Sequence, residues 1–162
     1  MPTPTASELP DLGEVIGRVL GRVPERERPL LIAVAERLAA ERYRGWADHP
    51  EASRHRARLL ACAAREEEIA DRVEALYPGS AAIQRDILAR HPDLEELNRS
   101  LFAGRSLAQQ FTMQAQGERL GAATWRALAR AKQEATARET LLACAGLEEA
   151  SAVVLESILA GR

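Results

Sequence analysis

Signals for β-strands are missing from this chain. No segment alternates apolar and polar residues with a period of two, and aromatic residues make up only 4% of the 162 positions, so an all-helical fold is expected. Lysine is nearly missing too. Lys132 is the only one, so positive charge rests on arginine, and the net charge is −2. That balance offers no basic field for nucleic acid and no acidic block for a cation-rich partner. No apolar run reaches the ~18 residues a membrane span needs. Only two cysteines occur, Cys62 and Cys144, which fits a reduced protein better than a disulfide scaffold. Residues 1–10 contain two early prolines and no basic segment followed by an apolar one. The expectation is a flexible tail, no secretory leader and a cytoplasmic location.

Ala, Leu, Glu and Arg are abundant, a helix-forming composition. The length suits one domain, expected over residues 11–162. Leu12, Val15, Ile16 and Leu20 predict a short leading helix, set apart from the first long helix by Pro24 and Pro29. Four long helices are expected over Leu30–Ala47, Glu51–Leu76, Leu107–Arg130 and Glu134–Leu159. Residues 78–106 form a connector with a short helix near Ala81–Ala89 and a second helical stretch after His91-Pro92. A helix of ~26 residues is ~39 Å long. The connector can run that length, whereas the links near residues 48–50 and 131–133 allow only tight turns. The expected architecture is two hairpins, 30–77 and 107–160, joined by a long crossover.

The two hairpins resemble one another. An offset of 82 aligns residues 36–79 with 118–161 without a gap, with 17 identities in 44 positions. Leu59-Leu60-Ala61-Cys62-Ala63 matches Leu141-Leu142-Ala143-Cys144-Ala145, Glu66-Glu67 matches Glu148-Glu149, and Tyr43 lies opposite Trp125. This pattern predicts a duplicated hairpin with a pseudo-two-fold axis.

One glutamate interrupts the apolar or small face of each long helix: Glu36, Glu66, Glu118 and Glu148. The separations Glu36-to-Glu66 and Glu118-to-Glu148 are both 30 residues, so each pair falls at a similar height in its hairpin. Glu67, Glu68, Glu74, Glu149 and Glu156 fall toward solvent. Four ionised carboxylates in an apolar core need compensation from bound cations, inward arginines, shared protons or water.

A duplicated helix pair with a long crossover, and a mid-helix glutamate seven residues before Tyr43 or Trp125, resembles the ferritin-like superfamily, especially its rubrerythrin-type di-iron proteins. The resemblance covers residues 30–160. It implies a four-helix bundle in which Glu36 and Glu118 are first-helix metal ligands and Glu66 and Glu148 bridge two ions. It also implies that Tyr43 and Trp125 donate to a ligand across the bundle. The family places histidines where this chain has Ile69 and Ser151, and His49, His55 and His91 lie elsewhere in the sequence.

The resemblance implies two functions. One is an all-glutamate site holding two iron or manganese ions, acting on oxygen or peroxide or in iron handling. It would need an external electron donor, since no rubredoxin-like cysteine motif is present. The other is a binding or structural bundle, with a homodimer as one arrangement, that has lost its metal. There the core glutamates would pair with arginines such as Arg44, Arg126, Arg56 or Arg138. Cys62 and Cys144 lie one turn before Glu66 and Glu148, either as small core residues or as a redox pair.

Overall fold

The computed structural model describes residues 9–162. These are all-helical, without strands. The helices are α1 (Leu12–Leu20), α2 (Arg28–Ala47), α3 (Arg56–Ala75), α4 (Ser80–Arg90), α5 (Leu94–Phe102), α6 (Leu107–Ala131) and α7 (Ala135–Leu159). No helix among the described residues is long and apolar enough to cross a membrane.

Local chemistry sets the boundaries. The Asp11 carboxylate accepts from the Glu14 amide at 3.1 Å and starts α1. Ser106 and Gln109 form a reciprocal capping box at the start of α6. Pro29 does not separate α2 from the segment before it. It occupies the first turn of α2, where a proline's missing N–H removes no helical bond. The second long helix also starts later than expected, because Pro50–His55 winds as a 3₁₀ turn and α3 proper begins at Arg56. The tail expected over residues 1–10 lies outside the described residues except for Leu9 and Pro10, and Leu9 packs against the core.

α2 packs along α3, α6 along α7, and α3 against α7, while α4 and α5 lie on α2 and α1 lies on α6. Both hairpins are antiparallel and closed by the same surface ion pairs. Arg37–Glu74 (2.7 Å) and Arg44–Glu67 (3.1 Å) join α2 to α3. Arg119–Glu156 (2.8 Å) and Arg126–Glu149 (2.7 Å), each 82 positions further on, join α6 to α7. Gly79 and Gly161, also 82 apart, both sit in the left-handed region at φ +73° and +77°, where only glycine is free of strain. Exposed pairs of this kind add ~0–1 kcal/mol each, so burial does most of the holding.

That burial forms three apolar clusters, a small one of Val23, Leu31, Ile87 and Leu94 where α4 and α5 lie on α2, and two larger ones. One gathers Ala40, Tyr43, Leu59, Cys62, Ala115 and Leu155; the other gathers Ala33, Ile69, Ala122, Trp125, Leu141 and Cys144. On each long helix the core glutamate falls between residues of the first cluster and residues of the second. The carboxylates therefore occupy a polar layer within an otherwise apolar interior.

Candidate metal centre

Glu36 (α2), Glu66 (α3), Glu118 (α6) and Glu148 (α7) are all buried, from 0% exposure at Glu66 to 7% at Glu36. Oxygens of Glu36, Glu66 and Glu148 lie within 4.8 Å of one another. Glu118 stands beside this triad, close enough for its charge to act on all three members. Two unit charges at that separation repel by roughly 3 kcal/mol even at an effective dielectric of about 20. Full ionisation without a counter-charge is therefore excluded. Glu36 is pushed up to about 7, first by burial, with the Glu118 charge adding and hydrogen bonds from Glu66 and Glu148 opposing. Burial, then the neighbouring carboxylates, raises Glu66 and Glu148 well above the usual carboxylate range.

The donors around the cluster are few. The Tyr43 hydroxyl donates to Glu118 Oε1 at 2.6 Å, and Gln114 Nε2 donates to the same oxygen at 2.8 Å. Trp125 Nε1 donates to Glu148 Oε1 at 2.9 Å. Ser151 Oγ donates to Glu66 Oε1 at 3.3 Å. Glu66 Oε2 and Glu118 Oε2 are buried with no partner. Tyr43 thus reaches from α2 to α6, whereas Trp125 bonds within its own hairpin. The reason lies one turn earlier. Gly121 has no side chain, so the Glu148 carboxylate occupies the space a Cβ would fill: that Cβ would lie 2.7 Å from Glu148 Cδ. Tyr43→Phe, which removes the shortest of these bonds and leaves more of Glu118 unpartnered, is expected to lower stability by about 2 kcal/mol in urea denaturation.

The arginines expected to pair with the core glutamates do not. Arg44 and Arg126 pair with Glu67 and Glu149, Arg56 with Asp48, and Arg138 with backbone carbonyls near residue 132. One residue's rotation around the helix, ~100°, carries Glu67 and Glu149 to the outer seam where those guanidinia lie. The inward arginine is Arg42. It donates to Gln114 Oε1 at 2.9 and 3.1 Å and to Asn98 Oδ1 at 2.9 Å, and it lies 3.8 Å over the Phe102 ring. Burial lowers it to about 10, against the pull of Tyr43 and the carboxylates. It reaches Glu118 only through Gln114.

Ile69 and Ser151 are fully buried at the positions where the resemblance puts histidines. His49 caps the 3₁₀ turn, His55 bonds to Arg54, and His91 meets Arg22, all away from the cluster. Cys62 and Cys144 are buried free thiols in different apolar clusters, with burial raising both and taking Cys144 to about 11. That environment favours inert core thiols over reactive thiolates.

The donor set suits a hard divalent cation, for which carboxylate oxygens are the matching ligands. Two buried oxygens without a partner, Glu66 Oε2 and Glu118 Oε2, leave ligand capacity for such an ion. No family model, curated protein or solved structure matches the chain.

Proposed function

We propose that the protein is a ferritin-like, rubrerythrin-like four-helix bundle built from a duplicated hairpin, and that Glu36, Glu66 and Glu148, with Glu118 beside them, bind iron or manganese. The observation that carries this reading is the convergence of four buried carboxylates that no arginine contacts directly, two of them with an orphaned oxygen. The ion pairs and positive-φ glycines repeated at an offset of 82 support the duplication. A bound ion would supply redox chemistry toward oxygen or peroxide, or a storage site. The chain's own part is to supply oxygen ligands, orient Glu118 through Tyr43 and Gln114, and hold Glu148 through Trp125. Electrons would come from a separate donor protein.

A second reading rests on Ile69 and Ser151. With no imidazole present and Ser151 already donating to Glu66, the carboxyl groups can share protons and serve as a structural polar layer. One experiment separates the two. Purified protein is loaded with Fe(II) under anaerobic conditions, or with Mn(II), desalted, and its metal content measured beside that of Glu66→Gln/Glu148→Gln. Stoichiometric metal in the wild type that drops at least tenfold in the double variant is expected. Wild-type protein that retains no metal after loading leaves the structural reading in its place.

A further inference from the structure

The carboxylate layer is not sealed on every side. A cavity of about 180 Å³ lies between α1, α5 and the α2–α6 pair, and Glu36, Glu118 and Glu148 line it together with Arg42. Its remaining walls are chiefly aliphatic, supplied by one face of the short α1 (Val15, Ile16, Val19) and by leucines of α2 and α5. A core of this composition could have closed on itself. It keeps instead a void larger than the ~150 Å³ apolar cavity that holds benzene.

We propose that this cavity is a binding site for an aliphatic chain of about seven carbons carrying one hydrogen-bond-donating, non-anionic head such as an alcohol or an amine. The walls supply apolar burial for the tail. The polar end selects the head. Glu36 lines the cavity with Glu118 and Glu148, and an oxygen of Glu66 lies within 4.8 Å of it, so in the metal-free protein this end is rich in carboxyl oxygens. Arg42 does not reverse that preference. Its guanidinium is committed to Gln114 and Asn98 and stacked on Phe102. A carboxylate head would face three carboxyl groups with no free cation to meet it. Burial of the tail does not depend on whether metal is bound, because the apolar walls are separate from the ligand oxygens; the head preference is that of the metal-free protein, on which the titrations are run.

The test is calorimetric titration of the metal-free full-length protein with heptan-1-ol, pentan-1-ol and heptanoate, with metal content after loading measured on the same preparations. Saturable binding of heptan-1-ol is expected, weakening about fourfold per methylene removed, with heptanoate at least tenfold weaker. Gly117→Leu fills the cavity from α6. A Cβ there meets only Leu12 Cδ1, at 4.0 Å, and leaving glycine favours the helix. This variant should bind heptan-1-ol at least tenfold more weakly while its metal content stays at the wild-type level. Ala35→Leu fills the same space from α2 and serves if the first variant misfolds. Absence of saturable binding, or equal binding by both filled variants, overturns the site. Equal binding of heptanoate overturns the assignment of the head. Failure of metal loading with alcohol binding intact counts against the metal centre alone.

Discussion

Gly121→Ala is expected to destabilise the protein by roughly 3 kcal/mol and to weaken metal binding at least tenfold. At an open helical position the same change stabilises by up to about 1 kcal/mol, so the sign itself is diagnostic. At position 121 the added methyl would stand 2.7 Å from Glu148 Cδ and closer still to its Oε1, separations that real Cβ atoms essentially never show. Glu148 must retreat from α6. Its retreat overpacks the layer, at about 1–3 kcal/mol, and takes the acceptor from the buried Trp125 N–H, at about 1–3 kcal/mol more. Gly45→Ala is the control, since nothing lies within 4 Å of a Cβ there. Urea midpoints of the two variants should move in opposite directions. A Gly121→Ala protein as stable as Gly45→Ala would show that Glu148 is not held where it is described.

The metal-free protein is expected to lose stability as pH rises from 5 to 8, the reverse of ordinary acid denaturation. Burial pushes Glu36 up to about 7 in the folded chain against an ordinary 4.5, and burial with the neighbouring carboxylates holds Glu66 and Glu148 well above the ordinary value too. The folded state therefore holds protons the unfolded state has released. Their contribution is complete below about 4.5 and is lost as pH climbs through 7 and beyond. For Glu36 alone this amounts to on the order of 3 kcal/mol, or roughly 6–12 °C in Tm for a chain of this size. The opposing case, Asp93 held down to about 2 by Arg22, acts below this window. Thermal melts in chelator at pH 5.5, 6.5, 7.5 and 8.5 read the effect, and a Tm that rises across the series would refute it. Added Fe(II) or Mn(II) should flatten the decline, because the ion takes the place of the protons and binds better as pH rises.

Much of this was legible in the sequence, and the gaps have physical causes. Helical periodicity located the long helices and put Glu36, Glu66, Glu118 and Glu148 on buried faces, because a lone charge on an apolar stripe is visible within one helix. Arg42 was not visible that way. Its burial comes from Asn98 and Phe102 on α5 and from Gln114 on α6, partners 56 to 72 residues away. On its own helix it looks like any surface arginine beside Tyr43. Arg44 and Arg126 pair one residue away from the core glutamates, since neighbouring glutamates at 66–67 and 148–149 differ by a rotation that composition cannot resolve. The cavity escaped notice for the same reason as Arg42, because α1 and α5 create it by where they come to rest.

The hydrogen bonds that run between the two hairpins differ in kind from those within each. Arg42–Gln114, Tyr43–Glu118, Trp46–Gln110 and Ser151–Glu66 all cross from one hairpin to the other, whereas inside each hairpin the ion pairs lie on the outer seams and Trp125–Glu148 is a buried bond. A slip of one hairpin along the other by a helical turn of about 5.4 Å would break all four crossing bonds at once. The polar contacts thus act as a vernier that admits a single alignment of the two hairpins.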